Sequence, residues 1–276
     1  MKECTFQKVI YQANLIFILV LFSGFGLTAQ KLDVAYVPTP DSVVERMLDM
    51  ADVGPGDYVI DLGCGDGRIV IEAAKRGAFG HGVDLDPQRI EEARKNAQRA
   101  GVADKVIFVE QNIFDTDFSR ANVIAMYLFP SINRKLRPSL LEKLKPGSRI
   151  VSHDFGMDEW RPDQQHGRLD NHAVLLWIVP DKVEGTWNWN LAGNEFNMKI
   201  NQKFQKVKIY LTSEERILKV EDSLLSGKRI SFVAYDNLDS TKFIFSGQVE
   251  HGKIEGIVQI HNGRTKWVDN WTAFLK

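Results

Sequence analysis

Two textures of hydrophobic patterning divide the chain. Over residues 34–180, short apolar runs alternate with stretches of helical period. Val43, Val44, Met47, Leu48 and Ala51 fall on one face of a helix, and further helices are expected over residues 68–76 and 88–100. Between them lie strand-like runs at 59–62, 80–84, 106–110, 123–128 and 149–155, with 173–180 as a last strand. Strands alternating with helices predict an α/β fold with a doubly wound, mostly parallel sheet. From about Lys182 the helical period fades and short alternating runs take over, at 196–200, 206–211, 229–233, 242–247, 253–258 and 267–274. Turn signals such as Asn237-Leu238-Asp239-Ser240 and His251-Gly252 separate several of them. This half, residues 182–276, reads as a small antiparallel β-domain, a barrel or a sandwich.

The first residues follow neither pattern. Lys2 and Lys8 precede an apolar run from Leu15 to Leu27 that closes on Thr28-Ala29-Gln30. The run is short for a bilayer crossing and ends in a small residue, so residues 1–29 read as a cleavable signal peptide. A retained membrane anchor and a misplaced start codon are the alternatives. The expected location is therefore exported or membrane-anchored, with membrane proximity through this segment, or cytoplasmic if the start is misassigned. Removal of the leader leaves Cys64 as the single cysteine, which rules out an intrachain disulfide. The net charge of −1 and the absence of a Lys/Arg block argue against an extended phosphate-binding surface, so no nucleic-acid partner is expected. Six histidines and two cysteines show no metal-ligand spacing, so no metal is expected.

The densest chemistry lies in Val59-Ile60-Asp61-Leu62-Gly63-Cys64-Gly65-Asp66-Gly67-Arg68, a strand running into a glycine turn and then a helix. Alternate glycines let the backbone approach a ligand and take angles closed to residues with a Cβ. The helix start behind them offers free N–H groups and a positive dipole end. A second strand ends at Asp84, at the spacing of a ribose-hydroxyl acceptor in a nucleotide-binding βαβ unit. A dinucleotide site is the first competitor, but its turn is G-x-G-x-x-G, built for an anionic pyrophosphate. Here Asp61 and Asp66 flank and enter the turn, which suits a ligand carrying an ammonium and a sulfonium.

S-adenosyl-L-methionine is such a ligand, and on these residues the chain resembles the class I, seven-strand S-adenosylmethionine-dependent methyltransferases. The resemblance implies a Rossmann-like sheet and a donor site in which Asp61, Gly63, Gly65 and Asp84 hold the amino-acid moiety and ribose. Asn112 and Ile113 stand where that family contacts adenine. The entry Tyr36-Val37-Pro38-Thr39-Pro40, the motif above and Ser152-His153-Asp154-Phe155 with Trp160 resemble one subgroup: archaeal protein-lysine methyltransferases and their mitochondrial relatives, including the ATP synthase c-subunit lysine methyltransferase. The likeness covers residues 34–180 and implies N-methylation of a protein lysine.

Methyl transfer from a sulfonium is an in-line displacement, so positioning supplies most of the catalysis. A lysine acceptor must first lose a proton from an amine of ordinary pKa about 10.4. Tyr127 ends the fourth strand and is a candidate to orient the acceptor, or else a rim tyrosine. His153 and Asp154 are candidates to accept a proton or bind a cationic substrate. Asp66 either helps bind the methionine amine or caps the following helix. Thr39 is a candidate contact to the donor carboxylate. Trp160 either walls the acceptor channel or packs in the core, and Trp187, Trp189, Trp267 and Trp271 read as core rather than a ligand cage. Gly185-Thr186-Trp187 resembles the G-x-W of lipocalin-like barrels, and a ligand-binding module and a packed domain without a pocket stay open. The expected activity is methyl transfer to a protein lysine. The alternatives are a small-molecule methyltransferase whose β-domain binds substrate, and an exported, non-catalytic binding protein.

Overall fold

The computed structural model describes residues 36–169, 171–263 and 265–276, with residues 168 and 169 described by their backbone alone. The signal-peptide reading of residues 1–29, and the membrane proximity that goes with it, lie outside the described residues. Residues 36–276 form one compact unit.

Helix α1 (Asp41–Met50) buries Val43, Val44, Met47 and Leu48, the face set by their spacing. Five strands then run in parallel: β1 (Tyr58–Leu62), β2 (Phe79–Asp84), β3 (Val106–Glu110), β4 (Val123–Met126) and β5 (Arg149–His153). Helices α2 (Arg68–Lys75) and α3 (Pro87–Arg99) make the first two crossovers, and α4 (Pro130–Lys143) makes the one from β4 to β5. A single 3₁₀ turn, Ile113–Asp115, stands between β3 and β4. The sheet is completed by β6 (Gln164–Leu169) and β7 (His172–Ile178), giving the order β3-β2-β1-β4-β5-β7-β6. β7 runs antiparallel to both of its neighbours. The central strands β1 and β4 are apolar on both faces because helices cover both sides. The order reverses between β1 and β4, which places a crevice at the carboxyl ends of those strands.

Two elements here differ from the sequence pattern. β6 has the sequence Gln-Gln-His-Gly-Arg-Leu, an edge strand with no alternation to mark it. α4 lies outside the predicted helices, and Pro130 opens it at the first helical position, where its missing N–H costs nothing.

The second half is a closed antiparallel barrel, and of the two predicted forms it is the barrel that is found. Its eight strands are β8 (Gly185–Leu191), β9 (Asn194–Lys203), β10 (Lys206–Ser213), β11 (Arg216–Ser226), β12 (Arg229–Asp236), β13 (Thr241–Glu250), β14 (Lys253–Asn262) and β15 (Thr265–Leu275), joined in sequence with β15 returning to β8. Alternation turns Ile230, Phe232 and Ala234 of β12 inward, the period-2 rule at work. The interior is filled with side chains. Phe245 lies 4.7 Å from Phe232 and 5.1 Å from Trp271, centroid to centroid, and Trp189 stacks on Phe196 at 5.2 Å. Trp187, Trp189 and Trp271 are core, as expected, whereas Trp267 is 42% exposed. Strands β8 and β11 were absent from the predicted set.

Trp160 belongs to the packing between the two halves and does not wall a channel. It is fully buried, 6.2 Å from Trp177 of β7 and stacked at 5.8 Å on Phe204, in the β9–β10 turn. The Asp181 N–H donates to the Gly227 carbonyl at 2.8 Å on the same seam.

Phe245→Ala removes a fully buried ring that packs against five other aromatic side chains, Trp189, Phe196, Phe232, Phe243 and Trp271. It is expected to cost about 3–5 kcal/mol, read as a lower midpoint of denaturant unfolding. An unchanged midpoint would mean that the aromatic core does not hold the barrel.

Candidate active site

The turn after β1 is drawn in left-handed backbone, with φ of 85°, 52° and 80° at Gly63, Gly65 and Gly67. At Gly65 the lack of a side chain matters twice, because a Cβ there would collide with the Tyr36 ring. The turn is latched to β2 from both sides. Gly63 and Cys64 donate N–H bonds to the Val83 carbonyl at 2.8 and 2.9 Å, and the Gly65 N–H donates to Asp84 Oδ2 at 2.9 Å. Asp84 Oδ1 accepts from the Asp86 N–H at 3.0 Å, so this carboxylate is fixed at the strand end with lone pairs to spare.

Asp61 is buried at the end of β1, 2% exposed, and no described residue donates a hydrogen bond to its carboxylate. Burial, then the charges of Asp84 and Asp66, push its pKa up to about 8. A buried acid without a partner, in a field of other acids, suits a cation. Asp66 is spoken for: Arg68 meets it at 2.7, 3.0 and 3.2 Å, and its Oδ1 also accepts the Arg68 N–H at 3.3 Å. Burial would raise the Asp66 pKa, but these contacts win and hold it below the usual carboxylate range. Asp66 Oδ1 thus meets the first N–H of α2, while the N-cap position itself is Gly67, with no side-chain cap bond. Cys64 is buried and its thiol pushed well up, first by burial, which suits a small residue filling a tight turn.

Arg68 ties this turn to the chain entering α1, donating from Nη1 to the Thr39 carbonyl at 2.8 Å. Thr39 is buried, and its hydroxyl lies 3.1 Å from His153 Nδ1. It therefore faces the end of β5. Tyr36 covers Gly65 and carries the Arg89 guanidinium 4.7 Å over its ring. On the far side, Gln111 donates its N–H to the Asp84 carbonyl at 2.9 Å. That bond brings Asn112 and Ile113 beside Asp84, with Asn112 Oδ1 accepting from the Phe114 N–H at 3.0 Å.

At the ends of β4 and β5, the Tyr127 ring lies on the His153 ring, 3.8 Å between centroids. His153 is fully buried, and desolvation pulls its pKa down to about 4 against the pull of Asp154, with His172 adding to the fall. Asp154 Oδ1 accepts from the Ala173 N–H at 2.7 Å and Oδ2 lies 3.0 Å from His172 Nδ1. Burial would raise its pKa, and these donors hold it low instead.

The structure thus brings Asp61, Gly63, Gly65, Asp66 and Asp84 into one turn. Asn112 and Ile113 flank it, and Thr39, Tyr127, His153 and Asp154 gather at the adjoining strand ends. Sequence reasoning missed Arg68, Tyr36 and His172. Arg68 closes the quoted motif and was readable there as a partner for Asp66. His172 carries no local signal, since it reaches Asp154 only through the pairing of β5 with β7. The fold also assembles a trio the sequence did not suggest: one ligand atom each from His153, Asp154 and His172, all within 4.8 Å of one another. The two shorter contacts, 2.8 Å between the histidines and 3.0 Å from His172 to Asp154, are hydrogen bonds. A tetrahedral ion with bonds near 2.0–2.1 Å would spread its ligand atoms to about 3.3–3.5 Å.

The seven-strand sheet, the glycine turn and the two strand-end acids define an S-adenosylmethionine-dependent methyltransferase. Comparison with known proteins agrees. The ANTKMT methyltransferase domain matches residues 61–164. A protein-lysine N-methyltransferase of Saccharolobus islandicus is 43% identical over 152 residues, 53% of this chain and 94% of that protein. The mouse adenine nucleotide translocase lysine N-methyltransferase is 32% identical, over 65% of this chain and 72% of its own length. Among solved structures, an RNA methyltransferase from Salinibacter ruber in complex with S-adenosyl-L-homocysteine is 51% identical. It covers 53% of this chain and 96% of that one, with a TM-score of 0.52. The chain belongs to this family of methyltransferases, and S-adenosylmethionine is its methyl donor.

The raised acid at Asp61 makes a signed prediction. Between the ordinary value of 3.8 and about 8 the folded state holds a proton that the unfolded chain has lost. Stability of the donor-free protein should therefore fall as pH rises through that window, and Asp61→Asn should flatten the slope. A donor ammonium placed against Asp61 should expel that proton. Calorimetric titration of donor near neutral pH, in buffers of different ionisation enthalpy, should show release of about one proton, lost in Asp61→Asn. Release of no proton by the wild-type protein would contradict the placement.

Proposed function

We propose that this chain N-methylates a lysine side chain of a protein. The observation that carries the proposal is the match to the archaeal protein-lysine N-methyltransferase across 94% of that protein's length. The rim chemistry supports it. Asp61, Gly63 and Gly65 would receive the amino-acid end of the donor, Asp84 the ribose, and Asn112 and Ile113 the adenine. Tyr127 would present its aromatic face to the incoming amine, a favourable surface for a cation.

The Salinibacter ruber structure bears an RNA methyltransferase name, which makes RNA the competing acceptor. Against it stands the charge of this chain, −1 overall, where an RNA-binding surface calls for a concentrated basic field. The small-molecule alternative loses its main support, because the barrel interior that was to hold the substrate is packed with aliphatic and aromatic side chains. An intact donor turn argues likewise against a non-catalytic binding protein. Residues 1–29 are proposed as a leader. Sequencing the N-terminus of protein made in its own host should find a start at Gln30, and an intact Met1 would sink that reading.

The acceptor is tested by adding enzyme and radiolabelled donor to extract of a strain lacking the gene, then separating protein, RNA and small molecules. Label in protein, recovered as methyllysine on hydrolysis, is expected. Label confined to RNA or to the small-molecule fraction would overturn the lysine assignment. In the same assay Asp84→Ala should lower donor affinity by about 10- to 100-fold, the loss of hydrogen bonds to a charged group.

A further inference from the structure

His172 enters the rim as the first residue of β7, and its Nδ1 lies at a fork: 3.0 Å from Asp154 Oδ2 and 2.8 Å from His153 Nε2. An ionised carboxylate only accepts, so His172 Nδ1 carries the hydrogen and donates toward both. His153 Nε2 is then an acceptor, which leaves the His153 proton on Nδ1, donated to the Thr39 hydroxyl at 3.1 Å. One set of tautomers satisfies the Thr39–His153, His153–His172 and His172–Asp154 contacts, with both imidazoles neutral and Asp154 ionised; the 3.3 Å approach of His153 Nε2 to Asp154 Oδ2 is then one between two acceptors. In that arrangement both nitrogens of His153 are committed inside the protein and its ring is buried under Tyr127. No nitrogen of His153 is left to meet an acceptor. His172 differs. Its side chain is 30% exposed and its Nε2 makes no hydrogen bond among the described residues.

The backbone gives a second, independent sign. Asp154 holds φ of 57°, left-handed backbone on a residue with a side chain. The conformation is enforced by its own N–H donating to the Ala173 carbonyl at 2.8 Å and by the Ala173 N–H returning to Oδ1 at 2.7 Å. Strain of this kind persists where the surroundings over-determine it, and here it aims the carboxylate at His172.

We propose that Asp154 and His172 form a proton-accepting dyad at the mouth of the acceptor site, with His172 Nε2 taking the proton of a cationic amine directly or through one water. The assignment rests on the lysine reading above. Asp154 fixes the tautomer and ring orientation, as a carboxylate does for an imidazole in other acid–base sites. His153 is a positioning residue. The acceptor N–H bond breaks, the proton moves to Nε2 and the electron pair stays on nitrogen. The neutral amine attacks the methyl carbon, the N–C bond forming as the C–S bond breaks, and S-adenosylhomocysteine leaves with the pair on sulfur. His172 then gives its proton to water. Among the described residues, the charged and titratable groups facing His172 are Asp154 and His153 from the end of β5, with Tyr127 beyond them at the end of β4.

The test measures initial rates of label transfer from tritiated donor into extract protein across pH for the wild type, His172→Asn and Asp154→Asn. Donor affinity is measured on the same preparations. Near neutral pH the His172→Asn rate should fall about 10²- to 10⁴-fold with donor affinity unchanged. The deficit should shrink as pH approaches about 10.4, where a lysine loses its proton unaided. A deficit equal at every pH, or none, overturns the dyad. So does loss of the wild-type rate on chelation that zinc restores. Nitrogen NMR of the folded wild type gives a readout that needs no variant and no acceptor: the Nδ1–H tautomer of His172 is expected, and the Nε2–H tautomer overturns the proposal. Wild-type protein that labels no protein at any pH overturns the lysine reading. Normal wild-type labelling with an undiminished His172→Asn rate overturns the dyad alone.

Discussion

The rim of this enzyme depends on a turn that has to be drawn in glycine. Left-handed backbone at Gly63, Gly65 and Gly67 carries the chain off β1 and back into α2 within a few residues, and the Asp84 carboxylate holds the middle of that turn by its N–H. Tyr36 then lies on the space a side chain at Gly65 would need. From this point the contacts run outward in a connected line. Asp66 at the turn holds Arg68, Arg68 holds the Thr39 carbonyl, Thr39 holds His153, and His153 meets His172 and Asp154. The donor turn and the proposed acceptor mouth are thereby parts of one hydrogen-bonded rim.

Electrostatics divide the labour among the rim's carboxylates. Asp66 and Asp154 are each saturated by donors and stay ionised, so they serve as fixed supports. Asp61 is buried with no donor among the described residues, and its pKa is pushed up to about 8, first by burial, which makes it receptive to a positively charged ligand. His153, stripped of water, stays neutral and holds its neighbours in place. Displacement at a sulfonium needs little beyond geometry and a neutral nucleophile, and this rim supplies fixed geometry together with the partly exposed imidazole of His172.

What could be read from the sequence follows from how local each signal is. The donor turn was legible because its strand, its glycines and its acid sit within ten residues, and Asp84 follows at a fixed interval. The face of α1 and most barrel strands were legible from their periods. β6 was hidden because an edge strand of Gln, His, Gly and Arg has no period to show. β11 was hidden because a bulge between Glu221 and Leu224, with Asp222 at φ 51°, shifts the register and breaks its alternation. β8 does alternate, Trp187, Trp189 and Leu191 inward, but its tryptophans drew attention as a cluster rather than as a run. His172 was beyond reach for a different reason. Its partner Asp154 lies eighteen residues earlier, and only the antiparallel return of β7 along β5 brings the two together.

The central claim is that the crevice between β1 and β4 receives S-adenosylmethionine with its ammonium at Asp61 and its ribose at Asp84. A crystal structure of the protein soaked with S-adenosylhomocysteine tests it most directly. The expected density has the amino group against the Asp61 carboxylate, both ribose hydroxyls on Asp84, and the sulfur turned toward Tyr127. Ligand density elsewhere on the molecule, or the ribose away from Asp84, would contradict the account.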